Sequence, residues 1–429
     1  MVDNIKQKNK KTPDHIKKLK CSLVGNERQH ARTGINKILD YHIYILGFLI
    51  PFLLMCIVCV ICEVEPFGDK SLVIIDGLHQ YMPFFSELYE KMKNGDSLFY
   101  SWNGGLGYNF ITLWAYYLAS PLNILILLGK KASLNMIVSW IIVLKISITG
   151  LTAAIYFVSR SHKYDKSILI FSTAYALCNY IVGYSWNVMW LDSIALLPII
   201  LLGFDRLVKK RDCKVYCLSL ALSLFCNFYI SFMICLFLVL WFICYDFKDN
   251  REFIRSGINF ALYSILAAGI AAIVLVPAYL GISKTASAEL TSLPSHEWYT
   301  NIVDILSTHL AGVAPVTNDN FNGNANLYMG ILPILLAVLY FFNRKIRLSQ
   351  KLKKIWLLAV FIISFNEHCL NFIWHGMHDQ YGIPNRFSFI YTFLLLIMAF
   401  ELFKKIRFVK LYQVMISYLL CLALICGSY

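Results

Sequence analysis

Long apolar blocks alternate with short polar ones along most of this chain. Four blocks are clear, at 43–62, 135–158, 258–280 and 387–403. A hydrocarbon core about 30 Å thick takes about 20 residues of helix to cross, so blocks of this length predict membrane spans. Further apolar runs at 168–184, 191–208, 216–228, 231–245, 327–342, 355–373 and from 411 to the end bring the expectation to about eleven transmembrane helices. The predicted class is an all-α polytopic membrane protein, since a helix satisfies its own backbone polar groups in lipid.

The polar blocks carry the orientation. Residues 1–42 form a basic tail, and most later basic clusters fall in loops: 160–166, Lys209 to Arg211, Lys248 to Arg255, Arg344 to Lys354 and Lys404 to Lys410. Lys and Arg concentrate in cytoplasmic loops. With the tail in the cytoplasm, 63–134 becomes a first external loop, and 281–326 and 374–386 are further external loops. Everything after 129 depends on one stretch. Were 109–129 a span, each later basic loop would lie outside; were it re-entrant, each would lie inside. Pro121 within it favours a broken element that returns to the side it entered. Only Lys130 and Lys131 then sit on the wrong side, where two Lys can snorkel at an interface.

Composition agrees with this picture and excludes others. With 58% hydrophobic residues against 15% charged, too little polar surface exists to clothe a soluble particle of this size. The formal charge of +14 lies in the tail and loops rather than on one face with stacking aromatics, so no nucleic-acid partner is expected. The partner is the lipid bilayer. The thirteen Cys fall almost wholly in apolar stretches, including Cys56, Cys59 and Cys62, and read as packing residues rather than a disulfide or metal framework. No A-x-A cleavage site follows the first span, which is therefore an anchor. The chain stops directly after its last apolar run, the pattern of an N-terminal portion.

Candidate chemistry lies mainly in the predicted external loops. Asp69, Asp76, Asp96, Asp192, Glu289, Glu297, Asp304, Asp319 and Asp379 all fall there. Asp76 leads into His79, Gln80 and Tyr81, then an amphipathic helix over 82–93 with Phe85, Leu88 and Met92 on one face. Gly104, Gly105 and Gly107 lack a following Lys-Ser/Thr and a preceding strand, so they predict tight turns rather than a phosphate cradle. Trp102 and Tyr108 beside them are able to stack on a ring, with anchoring at the membrane interface the default reading for Trp and Tyr; Trp186 and Asn187 lie in a later turn. His375, His378 and Asp379 have spacing compatible with a divalent metal, although solvated loop histidines are the simpler reading. Lys145 lies mid-span and needs a partner, Asp192 or Glu367, or else a cavity. Arg386, behind Pro384 at the mouth of a span, suits bidentate grip of a phosphate.

Several motifs together resemble one family. Asp76-Gly-Leu-His-Gln-Tyr-Met-Pro, Tyr100-Ser-Trp-Asn-Gly-Gly-Leu-Gly-Tyr-Asn-Phe, Gly183-Tyr-Ser-Trp-Asn-Val-Met-Trp-Leu-Asp192, Cys226-Asn-Phe-Tyr-Ile-Ser-Phe232 and Pro384-Asn-Arg-Phe-Ser-Phe389 are similar to the YfhO family of bacterial membrane proteins. The resemblance implies a C-type glycosyltransferase (GT-C) fold with juxtamembrane helices in its first external loop, and further spans and an extracellular domain beyond this chain. It implies a polyprenyl-phosphate sugar donor, a cell-wall polymer acceptor such as teichoic acid, and Asp76 as the catalytic carboxylate. Arg386 and Lys145 would then bind the donor phosphate; His79, Gln80, Tyr81, Trp102, Asn103, Tyr108, Trp186, Asn187 and Asp192 would surround sugar or acceptor. No cofactor is required by the motifs, though a divalent metal is compatible with them. The competing reading is a transporter or flippase of a lipid-linked saccharide, which would line a midplane path with paired broken helices.

Overall fold

The computed structural model describes residues 41–161, 164–285, 293–316, 324–379 and 382–427. Nearly all of the basic tail, together with Glu289 and Asp319, lies outside the described residues. The described chain is mostly helical. Three of its helices are long and apolar enough to cross a bilayer by length and composition: α1 (Tyr41–Ile61), α4 (Leu134–Ser161) with its short lead-in, and α10 (Asn250–Ile270).

Between α1 and α4 the chain makes a π-helical turn (Gly77–Tyr81), α2 (Met82–Asn94), a hairpin of β1 (Tyr100–Ser101) and β2 (Tyr108–Asn109), then α3 (Phe110–Tyr117) and a 3-10 helix (Pro121–Leu128). The last two are bent from one another by 101°. Pro121 opens the second piece, where its missing N–H costs nothing, and Asn123 Nδ2 donates to the Leu118 carbonyl at 3.0 Å to close the corner. The glycine run forms the hairpin tip: Gly105 and Gly107 have φ of 54° and 93°, and a Cβ on Gly107 would meet the Tyr100 hydroxyl.

After α4 come α5 (Ile168–Ala176), α6 (Asn179–Gly183), α7 (Leu191–Lys210), α8 (Lys214–Cys226) and α9 (Phe228–Ile243). Beyond α10 follow α11 (Ala272–Ile282), α12 (Ile302–Ser307), α13 (Ile331–Tyr340), α14 (Leu348–Asn366), α15 (His368–Trp374), α16 (Ser388–Phe403) and α17 (Leu411–Gly427). At the centre lie α4, α7 and α16, buried on most sides. By contrast α10 presents Ile254, Ile258, Leu262 and Ile265 outward at helical spacing, an apolar stripe suited to lipid. Close approach holds α1 to α4, since a Cβ on Gly150 would come 2.4 Å from the Gly47 carbonyl.

Three expected single spans are broken. Residues 168–184 divide at Leu177 and Cys178 into α5 and α6, 258–280 at Ala271, and 355–373 at Glu367. One of the breaks has a visible cause: the Glu367 carboxylate caps α15, accepting from the Cys369 and Leu370 amides. The run 327–342 is helical only from Ile331. In α2 the buried face holds Phe85 and Leu88 as expected, but Met92 is exposed and Glu87 and Lys91 are buried instead.

One buried ion pair joins the central helices. Lys145 Nζ lies 2.6 Å from Asp192 Oδ2 and 3.0 Å from the Val188 carbonyl, and Asp192 Oδ1 accepts from Ser120 at 2.9 Å. Both side chains are almost fully buried. Breaking such a pair leaves an uncompensated charge, so Lys145→Met should destabilise the protein by about 3–5 kcal/mol. Lys145→Met combined with Asp192→Asn should recover much of that loss. Thermal unfolding in detergent is the check; wild-type melting of Lys145→Met alone would show that the pair contributes nothing.

Candidate functional site

Two turns with strained backbones face one aromatic cluster. Ile75 has φ 54° immediately before Asp76, and Ile383 has φ 51° in the turn Gly382-Ile383-Pro384-Asn385-Arg386, where Asn385 also lies at 54°. Positive φ at a β-branched residue is a true outlier and persists only where surrounding structure imposes it. On the Asp76 side, Gly77 packs against Trp186, close enough that an added Cβ would lie 3.6 Å from the Trp186 carbonyl. On the Arg386 side, Tyr180 and Tyr184 of the α6 region donate to the Arg386 and Pro384 carbonyls at 2.5 and 3.1 Å, and Asn371 Nδ2 donates to Asn385 Oδ1 at 2.8 Å.

The cluster between them is built from Tyr81, Tyr116, Tyr117, Trp186, Trp190 and Tyr229. Tyr81 stacks on Trp186 and tilts against Tyr117, with its hydroxyl donating to Asn187 Oδ1 at 3.0 Å. Tyr116 touches Tyr117 and Tyr229, and its carbonyl accepts from Asn227, whose side chain also caps α9. Arg386 sits over the rings of Trp190 and Tyr229 at 5.5 and 5.6 Å, a cation–π arrangement. Its guanidinium donates to the Ile383 and Gly382 carbonyls and the Tyr229 hydroxyl. Of its five N–H donors, those three bonds leave two. Asp76 is exposed, and among the described residues its carboxylate has no hydrogen-bond or ion-pair partner.

Asp76 and Arg386 act on the Tyr81 hydroxyl with opposite sign. Burial chiefly pushes the Tyr81 phenol up, Asp76 adds to that and Arg386 counters it; the same two charges act on Tyr117. Two buried donors, Trp186 Nε1 and Asn187 Nδ2, find no protein acceptor among the described residues. Buried donors need acceptors. An oxygen-rich ligand at this wall would supply them.

The predicted site residues divide into two groups. Tyr81, Trp186 and Asn187 join Asp76 and Arg386 at the wall; Gln80 is adjacent, bonded to the Tyr117 hydroxyl at 3.4 Å, and His79 is exposed. Asp192 and Lys145 lie beneath, bonded to each other. Asn103 and Tyr108 belong instead to a groove of ≈ 500 Å³ along α2, walled also by Phe84 and Glu87. Its carboxylate, Glu87, is buried and accepts from Ser101 at 2.5 Å and Asn103 at 2.7 Å; Lys91 lies 3.6 Å away and donates to the Ser97 and Tyr100 carbonyls. Groove and wall meet at Phe84, whose ring packs on Tyr117. Trp102 is 78% exposed at the hairpin tip.

The sequence reading missed Glu87, Lys91, Tyr116, Tyr117 and Tyr229. A Glu and Lys four apart on an amphipathic helix look like its wet face, and only the hairpin reveals otherwise. Two of the histidines also differ from solvated loop residues. His375 is buried with Nδ1 on the Asn371 carbonyl, and burial with the Arg386 charge holds its pKa down to about 3. His309 is buried against Tyr391, with its pKa pushed by burial to about 4. Asp379 pairs with His368 at 2.7 Å, so His375 and Asp379 take separate partners rather than a shared ion.

No curated protein and no solved structure matches this chain. The family described as bacterial membrane protein YfhO matches residues 47–429, nearly the whole chain. With its helices of membrane-spanning length and composition, this chain belongs to the YfhO family of bacterial membrane proteins.

Proposed function

We propose that the protein is a membrane glycosyltransferase of GT-C type, moving a sugar from a polyprenyl-phosphate donor to an extracytoplasmic acceptor such as a teichoic acid. The observation that carries this reading is the convergence of an unpaired carboxylate, Asp76, and a partly engaged guanidinium, Arg386, on one aromatic wall with unsatisfied donors. A base and a phosphate-binding cation on opposite flanks of stacking rings are what sugar transfer to a hydroxyl requires. Family membership supports the same class.

In the proposed step the acceptor oxygen attacks the anomeric carbon while Asp76 takes its proton, and the bond to the donor phosphate breaks. The departing phosphate gains charge, and the two remaining Arg386 donors are left to stabilise it. Tyr81, Trp186 and Asn187 hold the sugar, and the Glu87 groove with Asn103 and Tyr108 takes the acceptor, with Trp102 exposed at the hairpin tip beside it. Lys145 acts through Asp192, which braces Ser120 and the bend before it. A transport path would need a midplane polar route, and Lys145, the cation the sequence places mid-span, is already neutralised by Asp192.

The proposed topology has a cytoplasmic tail, about eleven spans, and a bent element Phe110–Tyr117 with Pro121–Leu128 that returns to the outer side it entered. Asp76 and Arg386 then share the outer face.

Asp76→Asn keeps shape without basicity and should lower sugar incorporation about 10²- to 10⁴-fold, the range of general-base loss. Mass spectrometry of cell-wall polymer from cells carrying equal amounts of each variant gives the readout; near wild-type incorporation removes Asp76 from the chemistry. Arg386→Lys retains charge but not the fork, and is expected to lose about 10²-fold in the same assay. Full activity of that variant would make Arg386 a lipid anchor. For topology, single Cys residues at Leu106, Lys130 and Lys210 in a Cys-depleted background are to be labelled on intact cells with an impermeant maleimide. Leu106 and Lys130 should react and Lys210 should not; the reverse for the last two would make the bent element a true span.

A further inference from the structure

A separate group of side chains gathers where α14 meets α15. Nδ1 of His296 lies 2.9 Å from Oε1 of Glu367, and the Cys369 thiol completes a set whose ligand atoms all lie within 4.8 Å of one another. Imidazole, carboxylate and thiol thus come from two chain segments distant in sequence. Their backbones are stitched together: Trp298 pairs antiparallel with Glu367, the His368 amide donates to the Glu297 carbonyl at 3.0 Å, and the Tyr299 amide to the Asn366 carbonyl at 2.9 Å. The Asn366 side chain adds bonds to both the Thr300 amide and carbonyl at 2.8 and 2.7 Å. Glu367 is fixed further by its cap bonds to Cys369 and Leu370.

We propose that His296, Glu367 and Cys369 bind a divalent cation of the zinc class, with water as fourth ligand. Neighbouring ligand atoms in a tetrahedral zinc site lie roughly 3.5 Å apart, given metal bonds of about 2.0 to 2.3 Å. The three ligand atoms would draw together from their present spacing, within 4.8 Å, as the ion binds. A thiol with an imidazole selects zinc over magnesium or calcium, whose ligands are oxygens. Binding releases the thiol proton to solvent and keeps the imidazole proton on Nε2, leaving Nδ1 to the metal. The His296 side chain is 84% exposed, which leaves a path of entry and room for the water.

The ion would pin the segment around His296 to the start of α15. That helix carries Asn371, whose amide holds Asn385 in the turn before Arg386. Asn371 lies one helical turn beyond Glu367, so the metal braces the Arg386 turn through that turn of α15. The metal site itself stands independently of the transferase reading.

The test uses the full chain purified in detergent, stripped with chelator and titrated with Zn²⁺ alone, then with Co²⁺ as a spectroscopic substitute. One equivalent should bind per chain, with a thiolate-to-cobalt charge-transfer absorption. Cys369→Ser should abolish that absorption. His296→Ala, at an exposed loop position where folding is not at stake, should weaken Zn²⁺ binding by at least about 10-fold, the loss seen even for outer partners of metal ligands. His378→Ala should leave both signals intact. Absence of Zn²⁺ binding by the wild type, or wild-type affinity in His296→Ala, overturns the site.

Discussion

Asp192 is the residue on which the rest of the site depends. Its two oxygens hold Lys145 from the middle of α4 and Ser120 from the bend after α3, while Lys145 also takes the Val188 carbonyl of the turn before α7. Removing a carboxylate and an ammonium from water costs several kcal/mol for each ion even after relaxation, and only close mutual contact with further hydrogen bonds offsets it. That requirement makes the arrangement narrow. The bend, the 184–190 turn and α4 must meet at one place or leave a charge stranded. Since α3 ends at Tyr117 and the turn contains Trp186 and Asn187, the same constraint sets the wall that Asp76 and Arg386 face.

The wall is aromatic for a related reason. A cation beside a membrane core cannot rely on bulk water, and a full carboxylate partner would consume its charge. Arg386 is held instead by the faces of Trp190 and Tyr229, the Tyr229 hydroxyl and two backbone carbonyls. These are dipoles and quadrupoles rather than an opposite charge. They orient the guanidinium while leaving its net charge available to an anion. The strained turn at Ile383 and Asn385 is a consequence of aiming two carbonyls back at the side chain that follows them.

Much of the fold was legible because hydropathy and basic loops carry it. The positions of α1, α4, α7, α16 and α17 fall within a few residues of the apolar runs, and the amphipathic helix after Asp76 is present as α2. The breaks were harder. An apolar run looks the same whether one helix or two cross it, and the discriminating residues are single polar ones that act as caps: Asn227 before α9 and Glu367 before α15. Asn227 was readable as a turn, whereas Glu367 also suited a partner for Lys145. A carboxylate near an apolar run satisfies either demand, and distance alone decides between them.

The candidate site was legible in its charges and much less so in its neighbours. Asp76 and Arg386 each carry a local signal, a charge set beside a turn residue at the edge of an apolar block. Tyr116, Tyr117 and Tyr229 carry none, because tyrosine in a membrane protein is expected at interfaces whatever its task. Their role follows from the corner at Leu118 to Ser120, which turns the end of α3 toward the start of α9. A 101° change of direction within three residues brings the last turn of one helix against the first of another, and Asn227 secures the meeting by bonding the Tyr116 carbonyl. The chemistry proposed for the charged pair therefore rests on a polar corner inside an apolar stretch. The same corner keeps that stretch from continuing in line: a straight helix would carry Ser120 and Asn123 into lipid at its midpoint, whereas the corner buries both, Ser120 against Asp192.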